Sequence, residues 1–143
     1  RGVRQVKKMC QRLRAPHGYR DLALAVTGYH LLMHKLPELR TTTVLKLLQA
    51  LDAFRNPANV DSFVLACQAD ADGRGGSKRP YPAAELLTLY SAAARDVDLN
   101  DLETAFPEGK ARGREARRRR LAAISGVQST WRTAQLTAAD PVK

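Results

Sequence analysis

The sequence predicts an all-α protein, a bundle of about six to eight helices. Along most of the 143 residues, apolar side chains recur at intervals of three and four. This is the spacing of residues on one face of a helix. No short segment alternates convincingly between apolar and polar residues, so no β-sheet is expected. Prolines and asparagines fall between the periodic segments, where helices end.

The first two predicted helices are separated by Pro16, because proline in a helix interior removes a backbone hydrogen bond. The first helix carries its apolar residues at helical spacing, namely Val3, Val6, Cys10 and Leu13. The second runs from Tyr19 through Met33, and its apolar face consists of Leu22, Leu24, Val26, Tyr29 and Leu32. Pro37 marks the break after it.

The next two helices are expected to begin at side chains that can cap a helix. Thr41 or Thr42 would cap the third helix through its hydroxyl. The inward face of this helix consists of Val44, Leu45, Leu47, Leu48, Leu51 and Phe54. A loop at Asn56 and Pro57 follows, and Asn59 is predicted to cap the fourth helix, with apolar residues Val60, Phe63, Val64 and Cys67.

Three further helical segments are predicted in the second half. A fifth helix follows Pro82 and carries Leu86, Leu87, Leu89, Tyr90 and Ala94. A short helix is expected between Asp98 and Phe106, capped by Asp98 or Asn100. An arginine-rich helix follows from Lys110 to Ile124, and a separate last turn or short helix lies around Trp131. We divide the bundle into residues 1–80 and 81–143, which can pack as one unit.

Positive charge is concentrated at both ends of the chain. The formal net charge is +10, and residues 1–20 contain seven basic residues and no acidic one. Residues 109–143 contain nine basic and two acidic residues, whereas the middle of the chain is net negative. This distribution favours a polyanion partner, with tRNA, rRNA or DNA ahead of an anionic membrane. The alternative is a solvated, charge-rich surface.

Cysteine usage and hydropathy indicate a reduced, cytoplasmic protein. The two cysteines, Cys10 and Cys67, lie far apart and form no metal-binding or redox motif. We therefore expect both thiols to be free and buried. No apolar run approaches the ~20 residues that cross a bilayer, so no membrane association is expected.

The block from Leu65 to Gly76 places two carboxylates, an arginine and three glycines directly behind an apolar run. Arg74 could form a bidentate ion pair with Asp70 or Asp72, and the glycines could end a helix. A calcium loop would need a glutamate where Tyr81 stands, and the Lys-Ser/Thr of a phosphate-binding loop is absent. We interpret Asp70, Asp72 and Tyr81 as structural residues.

The arginines near the C-terminus are the strongest electrostatic feature. They spread around the circumference of the predicted helix, so a single Glu115 cannot pair with all of them. Contacts to nucleic-acid phosphates are predicted, and a plain solvated helix is the alternative. The candidate RNA-binding residues are Arg74, Arg114, Arg117, Arg118 and Arg120.

His30 and His34 lie one helical turn apart, the spacing at which two imidazoles can share a metal. No glutamate lies between them, and no carboxylate close in sequence completes a site. Structural histidines are therefore the favoured interpretation, and His30 alone is kept as a candidate ligand of an incomplete metal site.

Several segments resemble, in order, those of a known family. They read CQRLRAP and YRDLA from residues 10 and 19, YH from 29, TVLKL from 43, DAFRNP from 52, CQADADGRGG from 67, RPYP from 79 and RLAAI from 120. This ordered set resembles the C-terminal part of the bacterial multifunctional CCA-adding enzymes, the tRNA nucleotidyltransferases with an HD domain.

The resemblance implies the activities of such an enzyme. Its nucleotidyltransferase head adds C, C and A to tRNA from CTP and ATP with Mg²⁺. Its HD domain, with Ni²⁺ or another divalent metal, acts as a phosphatase, nucleotidase and 2′,3′-cyclic phosphodiesterase. Residues 1–80 would be the later part of this HD-type domain, and residues 81–143 a helical tRNA-contacting region.

The same resemblance implies that two catalytic parts would lie upstream of Arg1, namely the head and the first His-Asp motif. The chain by itself is therefore expected to be inactive and to bind no cofactor. His30 matches the second His-Asp position, but Leu31 replaces the aspartate there. Expected partners are tRNA, with CTP and ATP on the absent head, and a homodimer is one assembly the chain could form.

Two other functions stay open on the sequence. One is an HD-type metal-dependent phosphohydrolase acting through His30. The other is a non-enzymatic helical module that binds RNA or protein.

Overall fold

The computed structural model describes residues 2–73 and 80–139, and all regular structure in these two ranges is helical. A 3-10 turn, Leu36–Glu38, lies between the second and third helices. The α-helices are α1 Gly2–Arg12, α2 His17–Met33, α3 Thr41–Ala50, α4 Ala58–Asp72, α5 Pro82–Arg95, α6 Leu102–Ala105 and α7 Gly109–Ala139. The all-α prediction is confirmed.

The predicted helix caps are wrong at three places. Arg40, not a threonine, occupies the N-cap position of α3, and no side chain bonds to the start of that helix. Pro57 takes the N-cap of α4 with helical dihedral angles, so α4 begins before Asn59. The Nδ2 of Asn59 instead donates to the carbonyl of Leu51 at 2.8 Å, which joins α4 to the turn after α3.

The start of α6 also differs from the prediction. Asp101 is at its N-cap position and makes no capping bond. Asp98 accepts the backbone N–H of Asn100 at 2.9 Å, so it stabilises the preceding turn instead. The preceding turn places Asp101 at the N-cap position of this short helix, but the Asp101 carboxylate does not bond to the start of the helix.

The last helix is longer than predicted. α7 is one continuous helix of 31 residues, whereas two separate pieces were expected around Ile124 and Trp131. Gly126 does not break it, because Ile124, Val127 and Trp131 all pack on the core at helical spacing. Tertiary contacts on both sides of the glycine therefore outweigh its low helix propensity.

The core is built around α3, four of whose residues are completely buried: Val44, Leu45, Leu47 and Leu48. Phe63 of α4 and Tyr90 of α5 pack against them, and α7 contributes Ile124. Both predicted regions of the chain thus contribute to one hydrophobic cluster. Among residues 2–73 and 80–139, no helix is both long and apolar enough to cross a membrane.

α1 lies at the edge of the bundle, where it packs against α2. A Cβ on Gly2 would lie 3.1 Å from a methyl group of Thr27, so the two helices approach closely. Cys10 is the buried residue of α1, whereas Val3 and Leu13 of its predicted apolar face are exposed. Arg14, with φ of 49°, turns the chain into α2. The basic side chains of α1 therefore face solvent.

Both cysteines are free and buried, as predicted. Burial, with a smaller contribution from the nearby Asp70, raises the pKa of the Cys67 thiol to about 11. This thiol is therefore protonated at neutral pH and packs as a small apolar group.

Candidate nucleic-acid interface

Arg119 joins α7 to α6. Its guanidinium forms two parallel hydrogen bonds to the Asp101 carboxylate, at 2.5 and 2.6 Å. It also donates to the carbonyl oxygen of Asp98 at 2.9 Å. On its own helix, Arg119 Nε lies 3.0 Å from Glu115 Oε1. Arg119 is thus the central residue of an ion-pair network, although sequence reasoning did not select it as a site residue.

Glu115 is shared between two arginines. Arg118 binds it through two hydrogen bonds of 2.7 and 2.8 Å, and Arg119 adds a third. These bonds lower the pKa of Glu115 to about 2. The Arg118 side chain is nevertheless 70% exposed, and its guanidinium retains N–H donors beyond those that bind Glu115.

Arg120 points toward the body of the protein. Its Cζ lies 3.9 Å from the centroid of the Phe54 ring, which is a cation–π contact. Burial lowers the pKa of this guanidinium. Its Nε is buried and makes no hydrogen bond within the part of the chain that the structure describes. The structure therefore brings Arg120 to the turn after α3, where the residue is half-buried.

The cationic stripe of α7, defined here as Lys110, Arg114 and Arg117, lies near the start of that helix. These residues follow one another at intervals of four and three, so their side chains share one face. None of the three makes a hydrogen bond or an ion pair to residues 2–73 or 80–139. The positive end of the helix dipole lies at the same place. Lys110 and Arg114 are exposed and Arg117 is half-buried, and together they concentrate uncompensated positive charge on this face.

A second basic surface is formed by exposed residues of α1 and the turn that follows it: Arg4, Lys7, Lys8, Arg12 and Arg14. The α1 helix contains no acidic residue. None of these five side chains forms an ion pair with the described residues. The charge asymmetry seen in the sequence therefore appears as two solvent-facing cationic surfaces.

The predicted structural block is only partly described. Asp70 and Asp72 lie in the last turn of α4, while Arg74 and its predicted ion pair lie outside the described residues. Asp70 Oδ2 is 3.9 Å from His34 Nε2. The Tyr81 ring meets the His34 ring edge-on, with centroids 6.4 Å apart, and packs on the core. Asp70 and Tyr81 thus converge on the C-terminal end of α2.

His30 is oriented by its own helix. Its Nδ1 lies 2.8 Å from the carbonyl oxygen of Val26, and because a carbonyl only accepts, this nitrogen carries the proton. The other ring nitrogen is left as the one that could bind a metal. Across 2–73 and 80–139, however, no three His, Cys, Asp or Glu side chains group closely enough to hold an ion. These residues do not form a metal site by themselves, and His30 as a ligand stays a prediction.

Fold and surface together define an all-α bundle with two solvent-facing cationic surfaces. No protein-family model matches the chain, and no solved structure matches it. Curated proteins do match. The chain is 45% identical over 92% of its length to a protein named multifunctional CCA protein from Nitrosococcus oceani. It is 42% identical to the protein of that name from Thioalkalivibrio sulfidiphilus and 43% identical to that from Alkalilimnicola ehrlichii, each over 92% of this chain.

The chain spans about a third of the length of these relatives, 33% in the first and 32% in the other two. The resemblance to multifunctional CCA proteins is therefore confirmed for nearly the whole chain. It is consistent with a C-terminal part of such a protein.

Proposed function

We propose that this chain is the tRNA-contacting helical region of a CCA-adding nucleotidyltransferase. The observation that carries the proposal is the cationic stripe of α7, which has no ion-pair partner among the described residues, in a chain similar to multifunctional CCA proteins. In this proposal CTP, ATP and Mg²⁺ bind to a nucleotidyltransferase head outside the chain. The chain by itself adds no nucleotides, and the protein works in the cytoplasm.

The α7 arginines differ in the partners that they contact within the protein, and this difference supports the proposed function. Arg119 is held by Asp101 and Glu115, so it fixes the orientation of the helix. Arg114 is exposed, Arg117 is half-buried, and neither has such a partner, so both can donate hydrogen bonds to phosphates. Arg118 can add a contact through the donors that Glu115 leaves unused. Arg120 supports the surface from beneath, through Phe54.

Such contacts would be sequence-independent and strongly dependent on salt. Each phosphate that a cation neutralises releases bound counterions, and the logarithm of the affinity falls by about 0.9 per contact for each tenfold rise in salt concentration. Backbone contacts of this kind position a tRNA without reading its sequence. That suits an enzyme region that must accept many tRNAs.

The test is tRNA binding measured by fluorescence anisotropy between about 50 and 200 mM salt. The Arg114→Ala/Arg117→Ala variant should bind more weakly and lose about two phosphate contacts from the salt slope. The control Lys35→Ala/Lys46→Ala removes the same charge from exposed positions off α7. Equal losses in both variants, or an affinity that ignores salt, would contradict the proposal.

A further inference from the structure

A cleft of about 660 Å³ opens between the start of α2 and the turn that joins α3 to α4. Its apolar floor includes Leu22, Ala25 and Leu51. Its rim carries polar and aromatic groups: Tyr19, Asp21, Arg55, Asn56, Asn59 and Ser62. The volume lies within the range of sites that hold a small organic molecule. This cleft is separate from the cationic stripe of α7.

Tyr19 is the feature of the cleft that the packing does not explain. Its side chain is 75% exposed, although large aromatic residues usually contribute to a core. It lies in the first turn of α2, whose backbone is fixed by helical hydrogen bonds such as that from Arg20 N–H to the carbonyl of Pro16, at 3.1 Å. Tyr19 thus presents a ring to solvent from a rigid position.

The opposite wall of the cleft is a well-defined turn. Asp52 has a φ of 53°, in the left-handed region, and its carbonyl accepts the backbone N–H of Asn56 at 2.9 Å. The Asp52 carboxylate binds Arg55 Nε at 2.7 Å. Asn59 is held through its bond to Leu51, which leaves its side-chain oxygen available as an acceptor. Hydrogen-bond donors and acceptors are therefore held at defined positions around the cleft.

We propose that this cleft binds an unpaired nucleobase of an RNA, with the base stacked against Tyr19. The lining contains two aspartates and one arginine, so it does not favour a phosphate inside the cleft. Carboxylate and amide groups instead match the amino and carbonyl groups on the edge of a base. Proteins typically recognise unpaired bases in this way, by stacking on aromatic rings and by hydrogen bonds to base edges.

The charge beside the cleft fits the same ligand. Arg12 and Arg14 are exposed just before Pro16, which itself lines the cleft. They could contact the phosphates that flank the bound base. The inference rests on the proposed RNA-binding function and deepens it, because it adds a site for an unpaired base to the sequence-independent contacts of α7.

The test compares two probes, a single-stranded oligoribonucleotide and a fully paired RNA duplex, by fluorescence anisotropy. Tyr19→Ala should weaken binding of the single strand about 5- to 150-fold, the range for loss of one base–aromatic stack. Tyr19→Phe should retain the affinity, because the ring remains. Leu65→Ala removes an exposed apolar side chain from α4 at a residue that does not line the cleft and should change nothing.

Duplex binding should be the same in the wild type and in Tyr19→Ala, since a paired base cannot enter the cleft. An equal loss on both probes, or no loss on the single strand, would overturn the inference. So would polyglutamate binding that depends equally on Tyr19, because the cleft would then recognise a peptide. If Tyr19→Ala has no effect while Arg114→Ala/Arg117→Ala still weakens tRNA binding, only the cleft assignment fails. If tRNA does not bind at all, the proposed function fails.

Discussion

Replacing Ile124 with alanine should destabilise the protein by weakening the packing of α7 on the core. Ile124 is the one completely buried residue that the structure describes on this helix, with 0% exposure. The change removes three carbon groups, worth about 0.8 kcal/mol each, and leaves a cavity as well. The total expected loss is about 3 kcal/mol, within the range of about 2–5 kcal/mol for such core truncations. The melting temperature should fall by roughly 10 °C.

The measurement is thermal and urea unfolding followed by circular dichroism. Ile124→Val removes one methyl group and should lose about a third as much stability, about 1 kcal/mol. Leu136→Ala is the matched control, because Leu136 lies on the same helix but is 74% exposed and should change stability by less than about 0.5 kcal/mol. An Ile124→Ala variant as stable as the Leu136→Ala control would refute the placement of α7 against α3 and α5.

Two further predictions concern titratable groups. The pKa of Cys67, raised to about 11, leaves only about a thousandth of this thiol ionised at pH 8. Alkylation of Cys67 should therefore be slow in the native protein and should accelerate on unfolding. Rapid labelling of Cys67 in the native protein, detected by mass spectrometry, would contradict its burial. Folding lowers the pKa of Glu115 from its usual 4.5 to about 2. Between pH 4.5 and about 2 the unfolded chain therefore binds more protons than the folded chain, and the free energy of unfolding should fall as the pH drops through this range. Urea titrations at several pH values measure this dependence of stability on pH, and it should be weaker in Glu115→Gln. An unchanged dependence in that variant would exclude the ion pairs of Glu115 with Arg118 and Arg119 as its cause.

The helices were predictable from the sequence because their spacing is a local property. Leu86, Leu87 and Tyr90 follow one another at helical intervals, and the burial of that face is what a helix in a bundle requires. The caps were less predictable. Asn59 has a suitable side chain for a cap, but Pro57 starts the helix earlier, and the amide of Asn59 then finds a partner eight residues back. Cap positions depend on such competition between neighbouring groups.

The continuity of α7 could not be predicted locally either. The serine and glycine before Val127 are weak helix formers, and only the core contacts of Ile124 and Trp131 explain why the helix continues. Arg114 and Arg117 were predicted from charge alone, and neither has an ion-pair partner among the described residues, whereas their contact with RNA stays a prediction. The cleft beside Tyr19 was missed, because its two walls, residues 16–25 and 50–62, are at least 25 residues apart in the sequence. An exposed aromatic residue cannot be recognised before burial is known.

The sequence by itself determined the all-α class, the basic ends and the resemblance to multifunctional CCA proteins. Each of these features depends on residue types and their spacing, which can be read directly from the sequence. The tertiary structure decided which arginines are available to a partner. Consecutive residues of a helix point about 100° apart, so Arg119 meets Asp101 of α6 and Arg120 meets Phe54, while Arg117 meets no oppositely charged group among the described residues. Whether a cation is paired depends on what packs beside it, and only folding brings those neighbours together.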